Sequence, residues 1–330
     1  MKNITYLSPT SISLYAQNPQ EFYLNYLSDN RPPKMPQDKH MSVGSAFDAH
    51  VKSFLYEHLF GKGKDPKFDL IPLFEAQVEP QNRDTAYEAG QHAFKLYKES
   101  GALSDLMLDL SNAIGEPRFE LDVKGVVNGY REGVTKNVNG VTFLGKPDLF
   151  FINKSGNHVI LDWKVNGYYS TRTTSPMQGF VRLRDCGTDR GCHKNAQPMF
   201  VNGTLINVAQ ALEDCNSDWA RQLAIYAWLL GEEIGGNFVV AIDQLVCKPD
   251  HPRPTLRVAA HRTQIRKDHQ WKIYQEAETL WEIVHSDHIF RDMTKEESQA
   301  KCQLLDGMSE VLKGDGSDKD KWFSQATRGY

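Results

Sequence analysis

Gly145-Lys146-Pro147-Asp148 and Ile160-Leu161-Asp162-Trp163-Lys164 are the two stretches of sequence that decide the fold of this chain. The second stretch ends an apolar run, which predicts a buried β-strand. Side chains alternate along a strand, so Asp162 and Lys164 are expected on one face and Trp163 on the other. The sequence therefore predicts a carboxylate and an ammonium group side by side on a sheet.

A hairpin is expected to bring Asp148 beside Asp162, because a turn near Gly156 joins the strands that carry them. Two carboxylates on one sheet face repel each other unless a cation lies between them, and hard oxygen ligands suit Mg²⁺ or Mn²⁺. A neighbouring lysine, Lys164, can orient or deprotonate a water and stabilise a pentavalent phosphate. The alternative is a solvated Asp162–Lys164 pair on an edge strand, but the apolar flanks favour a buried functional site.

Together with Gln222-Leu223-Ala224-Ile225-Tyr226, these stretches resemble the three motifs of RecB-family nucleases of the PD-(D/E)XK superfamily, in their usual order. Phage recombination exonucleases belong to the same family. The resemblance extends from about Thr5 to His285. It implies a metal-dependent nuclease acting on DNA.

The resemblance also implies roles for individual residues. Asp148, Asp162 and the backbone carbonyl of Trp163 would ligate the metal ion. Lys164 would position the attacking water.

The third stretch is predicted to lie on a helix over residues 217–230. Gln222 falls in the middle of the apolar face of this helix, and a buried amide needs a hydrogen-bonding partner. By the resemblance, Gln222 and Tyr226 would lie near the active site and the DNA strand. The alternative is a core hydrogen bond between these two side chains.

An aspartate stands where relatives commonly carry a histidine. Such nucleases have Gly-x-x-x-His on an N-terminal helix, whereas this chain has Gly44-Ser45-Ala46-Phe47-Asp48. Asp48 falls within the apolar face of the predicted helix and is interpreted as a metal ligand that replaces the histidine. The alternative is an i,i+4 ion pair with Lys52.

A further acid often precedes the Gly-x-x-Asp strand in this family. Glu132 is the first choice for this acidic metal ligand and Glu120 the second. A solvated glutamate is the alternative for either residue.

The predicted fold is α/β, with a mixed central β-sheet flanked by helices, as in the restriction-endonuclease core. An N-terminal helical portion (1–115) is expected to pack on a nuclease core (116–290), and a C-terminal helix and charged tail follow (291–330). The predicted helices cover 8–27 with a break at Pro19, 42–60, two segments between 84 and 113, 217–230, 267–285 and 295–312. The predicted strands cover 123–134, 141–152, 158–165, 237–246 and 255–261.

Residues 166–216 form a predicted insertion that is polar and weakly periodic. Long loops of this kind are usually functional. Its aromatic residues Tyr168, Tyr169 and Phe180 suit base stacking, and its basic residues suit phosphate contacts. A solvated insertion is the alternative. The predicted DNA contacts are Arg172, Arg182, Arg184 and Arg190, together with Tyr226.

The cysteines do not indicate a disulfide framework, because their number is odd and their spacing irregular. Cys186, Cys192 and His193 lack a fourth ligand at zinc-like spacing, so ordinary loop thiols are favoured over a zinc site. The N-terminal region has no cysteine, so the iron–sulfur cluster of some relatives is not expected.

Composition excludes several classes of protein. The 330 residues include no apolar run long enough to cross a membrane, and the N-terminus has no signal-peptide core, which favours the cytoplasm of a bacterium or of a phage-infected host. The net charge of -4 gives no overall basic surface, so any DNA groove must be local. Neither a phosphate-cradling glycine loop nor a nucleophile elbow is present.

Two hypotheses follow. The first is an exonuclease acting on single-stranded DNA or duplex ends in recombination, repair or phage DNA metabolism. The second is a non-catalytic DNA-binding or scaffolding protein that kept the fold. Since no helicase motif is present, any unwinding would need a helicase or recombination partner.

Overall fold

The computed structural model describes residues 4–29, 35–119, 134–166, 197–201, 204–208, 211–248, 255–286, 300 and 303–304. Helices dominate the first third of the chain and return near its end. They are α1 (Pro9–Gln17), α2 (Pro19–Phe22), α3 (Lys39–Phe60), α4 (Leu70–Gln77), α5 (Arg83–Glu99), α6 (Ala102–Ser111), α7 (Leu212–Cys215), α8 (Ser217–Leu230) and α9 (Lys267–His285).

The strands lie between these two helical parts. They are β1 (Arg118–Phe119), β2 (Val134–Val138), β3 (Val141–Gly145), β4 (Leu149–Ile152), β5 (His158–Asn166), β6 (Gln197–Val201), β7 (Thr204–Val208), β8 (Val239–Lys248) and β9 (Thr255–Thr263). A seven-stranded sheet has the order β1-β4-β5-β8-β9-β7-β6, and β2 and β3 form a separate hairpin. The β5–β8 and β7–β9 pairs are parallel and the others antiparallel. This arrangement confirms the predicted mixed sheet flanked by helices.

The large sheet separates two hydrophobic cores. Val159, Leu161 and Trp163 of β5 pack into the core formed with α3 to α6. Ile160 packs into the other core, which contains α8, α9 and the β2–β3 hairpin. Because side chains alternate along a strand, Asp162 lies on the α8 side of the sheet and Trp163 on the other side.

The N-terminal helices begin where their capping residues indicate. The Ser8 hydroxyl accepts a hydrogen bond from the Ser11 amide, and the Ser11 hydroxyl accepts one from the Ser8 amide, which forms a capping box. Pro19 begins α2, as the predicted break requires. Helix α3 starts at Lys39 rather than at the predicted residue 42, because Asp38 caps it. Helix α4 was not predicted.

The predicted strand 141–152 is wrong as one element, because it is two strands in two different sheets. β3 ends at Gly145 and β4 begins at Leu149. Pro147 lies in the break, where it has no amide hydrogen to donate to a ladder. This break leaves Asp148 immediately before β4 instead of within a strand.

Other predicted elements fall partly outside the described residues. Strand 123–134 lies outside them except for Val134, which begins β2. Of the predicted helix 295–312, residues 300, 303 and 304 are described and are helical. Within the predicted insertion, β6 and β7 extend the large sheet at its far edge. No helix in the described parts of the chain is both long and apolar enough to cross a bilayer.

Candidate active site

The pairing of β4 with β5 brings the two motif aspartates together. Leu149 lies opposite Leu161 in this antiparallel ladder, and the same register carried one residue further sets Asp148 opposite Asp162. The Asp148 Oδ2 atom accepts a hydrogen bond of 3.2 Å from the Trp163 amide. Asp148 is thus attached to the strand that carries the second aspartate.

Lys164 and Gln222 complete a contact network around Asp162. The Lys164 Nζ atom lies 2.5 Å from Asp162 Oδ2 and donates to Gln222 Oε1 at 3.0 Å. The Gln222 Nε2 atom donates to Asp162 Oδ1 at 3.3 Å. Only 3 % of Asp162 is exposed, so Lys164 and Gln222 take the place of water around a buried carboxylate.

Helix α8 holds Gln222 and Tyr226 against the strands. The Gln222 Nε2 atom also donates to Tyr226 Oη at 3.0 Å. The hydrogen bond between the two side chains is therefore present, and Gln222 contacts Asp162 and Lys164 as well. Gln222 therefore lies where the resemblance implied, beside Asp162 and Lys164, and it also makes the alternative hydrogen bond with Tyr226.

Gly145 permits the close approach of β3 to this helix. A Cβ atom at Gly145 would lie 2.5 Å from Leu229 Cδ1 and 2.7 Å from the Tyr226 ring. Real Cβ atoms do not approach other carbon atoms this closely, so a side chain here would force Leu229 and the Tyr226 ring to shift. The glycine of the first motif thus serves the packing that places Tyr226.

A second ion-pair network joins α3 to the start of β4. The Lys52 Nζ atom donates to Asp48 Oδ2 at 2.7 Å and to Asp148 Oδ1 at 2.9 Å. Gln77 Nε2 donates to the same Asp48 oxygen at 2.9 Å. The structure shows the i,i+4 pairing of Asp48 with Lys52. The same Lys52 ammonium group also contacts Asp148, so it bridges the two carboxylates.

His50 lies away from this network, in the core between α3 and α5. Its ring centroid is 5.2 Å from that of Tyr87 and 6.0 Å from that of Phe94. Burial lowers the pKa of His50, against a hydrogen bond with the Tyr87 backbone that raises it.

The two motif aspartates differ in acidity because of their neighbours. Burial raises the pKa of Asp162 to about 7; the charge of Lys164 opposes this effect, and the charge of Asp148 adds to it. Burial would also raise the pKa of Asp148, but the Lys52 ammonium and hydrogen bonds outweigh it and hold that pKa below its usual value. The pair therefore favours one proton, or a cation, over two uncompensated negative charges.

Lys164 and Tyr226 keep their protons in this environment. Burial lowers the pKa of Lys164, yet the charge and hydrogen bond of Asp162 outweigh that effect and raise it overall. Burial and the nearby Asp162 and Asp148 charges raise the pKa of Tyr226 well above its usual value. Without a cation, the site therefore holds a charged lysine and a neutral tyrosine.

A polar network behind the sheet was missed in the sequence. Tyr97 Oη donates to Asp243 Oδ2 at 2.5 Å, and Arg262 donates to the other oxygen of Asp243 at 2.7 Å. Trp163 Nε1 donates to Tyr97 Oη at 3.4 Å. The signal available was Asp243, a charged residue inside the apolar run of β8. The network attaches the rear face of β5 to α5 and β9.

Two buried polar residues on the site face were also missed. His261 lies opposite Ile242 in the β8–β9 ladder, and its Nε2 is 3.3 Å from Gln244 Oε1. Both side chains are fully buried. Burial lowers the pKa of His261 to about 4, so the ring is neutral near pH 7.

Several predicted site residues lie outside the described residues. These are Glu132, Glu120, Arg172, Arg182, Arg184, Arg190, Cys186, Cys192 and His193.

The donor set near Asp162 fits a hard divalent cation. Among the described residues, no group of three or more acidic, histidine or cysteine side chains is arranged to hold a metal ion. Mg²⁺, however, is commonly held by one or two carboxylates and completes its shell with water and substrate phosphate oxygens. Asp148 and Asp162 supply two such carboxylates, and the Asp148 Oδ2 atom lies beside Asp162 on the neighbouring strand.

The family model described as the PD-(D/E)XK nuclease superfamily matches residues 6–179. The chain belongs to the PD-(D/E)XK nuclease superfamily. The matched part includes Asp48, Lys52, Asp148, Asp162 and Lys164 and ends before helix α8. Members of the PD-(D/E)XK superfamily are generally nucleases and typically use divalent metals such as Mg²⁺.

No curated protein matches the chain. The crystal structure of a protein called SSO0001 is similar at 11 % identity, with 72 % of this chain and 74 % of that chain covered and a TM-score of 0.25.

Proposed function

We propose that this PD-(D/E)XK protein is an active metal-dependent deoxyribonuclease. The observation that carries the proposal is the largely buried cluster in which Lys164 contacts both Asp162 and Gln222, while Asp148 accepts a hydrogen bond from the Trp163 amide beside Asp162. Burying these charges is costly unless they serve a function or are fully compensated. A protein that only binds DNA has no chemical reason to retain Asp148, Asp162 and Lys164 together.

The residues divide the work of phosphodiester hydrolysis. Asp148, Asp162 and the Trp163 carbonyl would hold one Mg²⁺ or Mn²⁺. The ion, when bound, would polarise the scissile phosphate and lower the pKa of a water. Lys164 keeps its proton, so it orients the attacking water and stabilises the negative charge that develops on the phosphate.

Gln222 and Tyr226 act as positioning residues in this scheme. The Gln222 amide fixes the directions of both the Lys164 ammonium and the Asp162 carboxylate. Neutral Tyr226 can donate its hydroxyl proton to a phosphate oxygen of the DNA strand. The direction of that hydrogen bond suits a substrate that carries negative charge.

More specifically, the proposed activity is that of a RecB-like exonuclease that acts on single-stranded DNA or duplex ends. Its support is the order of the three motifs, together with the basic and aromatic residues of the sequence between 167 and 196, which are predicted to contact DNA. Arg172, Arg182, Arg184 and Arg190 would contact the DNA backbone, and Glu132 would supply a further acidic ligand. A role in recombination, repair or phage DNA metabolism, in the cytoplasm and with a helicase or recombination partner, fits such an activity.

The proposal is tested with end-labelled single- and double-stranded DNA, incubated with the protein in Mg²⁺, Mn²⁺ or EDTA. Release of labelled mononucleotides or short products in Mg²⁺ or Mn²⁺, but not in EDTA, supports an exonuclease. Internal cleavage of circular DNA would show that the activity is that of an endonuclease instead of an exonuclease. Binding of DNA without cleavage under every metal condition would instead support the non-catalytic scaffold.

A further inference from the structure

Lys52 is a fully buried lysine, and its ammonium group lies between two carboxylates from different parts of the fold. Its exposed fraction is 0 %. Asp48 belongs to the same helix, whereas Asp148 lies 96 residues away, immediately before β4. A lysine is rarely buried so completely unless it is paired. Here one ammonium joins two elements as a bridging cation would.

The two oxygens of Asp148 face in different directions. Oδ1 accepts the hydrogen bond from Lys52, and Oδ2 accepts the one from the Trp163 amide beside Asp162. The Lys52 ammonium group thus already contacts the Oδ1 side of Asp148, which faces Asp48. The side that faces Asp162 is the one where a metal ion can join the two motif aspartates.

Charge balance favours one divalent ion in this cluster. In the metal-bound state the carboxylates of Asp48, Asp148 and Asp162 are ionised, and Lys52 and Lys164 are protonated, so these described side chains carry one net negative charge. One divalent cation and one phosphodiester bring their total to neutral, and Glu132 as a further ligand adds one negative charge. A second divalent cation would therefore still leave an excess of one or two positive charges in a largely buried site, which is costly.

We propose that Lys52 is a built-in cation that takes the place of a second metal ion, so that the chain binds one divalent ion, between Asp148 and Asp162. Asp48 is then a positioning residue that acts through Lys52, and the pairing with Lys52 replaces direct metal ligation as its role. This inference rests on the proposed function, because it specifies the metal content of the same site.

The test counts bound Mn²⁺ and follows thermal unfolding in the full-length protein. Mn²⁺ alone is the probe, measured by equilibrium dialysis and by electron paramagnetic resonance. Asp162→Asn, which removes the proposed ligand, gives the background from surface binding. Wild type is expected to bind one Mn²⁺ per chain above this background.

Lys52→Met keeps the length of the side chain and removes its charge. Two carboxylates that are only 17 % and 16 % exposed then lose their cation, so the melting temperature in EDTA should fall by roughly 5–10 °C. The variant should bind a second Mn²⁺, which restores the melting temperature. Lys95→Met is the matched control, because it removes an exposed i,i+4 ion pair with Glu99 on α5 and should change neither quantity.

The double variant Asp48→Asn/Lys52→Met removes one charge of each sign. It should regain most of the lost stability in EDTA and bind one Mn²⁺, and it keeps the test decisive if Lys52→Met alone does not fold. Two Mn²⁺ in wild type, or one in folded Lys52→Met, would overturn the inference and leave the proposed nuclease intact. Absence of specific Mn²⁺ binding to wild type, together with no cleavage, would overturn both.

Discussion

The Gln222 side-chain oxygen lies 3.0 Å from Lys164 Nζ, while its nitrogen lies 3.3 Å from Asp162 Oδ1. One amide on α8 therefore contacts both members of the ion pair on β5. This relationship couples the helix to the strand that carries the proposed chemistry. It explains why a polar residue occupies the middle of an apolar helix face.

Gln222→Leu is expected to lower the single-turnover cleavage rate by about 10²-fold, since misplacing a reacting group by about 1 Å costs that much. DNA affinity should change little, because Lys164 and Asp162 keep their charges. Gln81→Leu, an exposed glutamine on a 3₁₀ turn, is the control. A Gln222→Leu enzyme with the wild-type rate would show that the amide has only a packing role.

Gly145→Ala should destabilise the fold by about 1–3 kcal/mol, because the added Cβ would overlap Leu229 and Tyr226. Gly44→Ala is the matched control. A Cβ at Gly44 meets no atom within 4 Å, and alanine favours a helix by about 1 kcal/mol over glycine. Urea unfolding of both variants measures the difference. Equal stabilities would mean that β3 and α8 can separate without cost.

The Asp162 carboxyl should make the metal-free fold less stable as the pH rises. Its pKa is about 7 in the fold against 3.8 for the free side chain, so the folded state holds this proton more tightly. The resulting stabilisation is complete below pH 3.8 and is lost as the pH rises through about 7.

The measurement is the melting temperature of wild type minus that of Asp162→Asn in EDTA, between pH 5 and about 8. The difference should fall with rising pH and flatten when Mg²⁺ is added. His261 titrates in an overlapping range, but it is present in both proteins and cancels. A constant difference in EDTA would contradict the raised pKa.

Reversing Arg182 and Arg184 to glutamate should weaken DNA binding and flatten its dependence on salt, because fewer counterions are released. Fluorescence anisotropy at several salt concentrations gives the slope. Lys95→Glu on α5 is the control for a general change in charge. If the double variant kept the wild-type dependence of DNA affinity on salt, Arg182 and Arg184 would not be DNA contacts.

The sequence predicted the parts of the site that depend on local periodicity. Alternation along one strand was enough to put Asp162 and Lys164 on the same face, and the turn near Gly156 was enough to pair Asp148 with Asp162. Lys52 was recognised only as an i,i+4 partner of Asp48. Its contact with Asp148 spans 96 residues, and a helical wheel contains no information at that separation.

The missed network behind the sheet has the same cause. Tyr97, Asp243 and Arg262 come from one helix and two strands, and they meet only after the sheet is assembled. The break at Pro147 was missed for another reason. Residues 141–144 and 149–152, which flank this segment, are largely apolar and continue a strand pattern, whereas the missing amide hydrogen of proline ends the ladder.

The most direct test of the account compares wild type with Lys164→Ala on end-labelled DNA in Mg²⁺ and Mn²⁺. In the proposed mechanism, Lys164 acts on the water and the transition state more than on ground-state binding. Wild type should therefore cleave in metal and stop in EDTA, while Lys164→Ala should bind DNA with nearly unchanged affinity and lose cleavage by ~10³-fold or more. Near-normal turnover by Lys164→Ala would contradict the assignment of the active site.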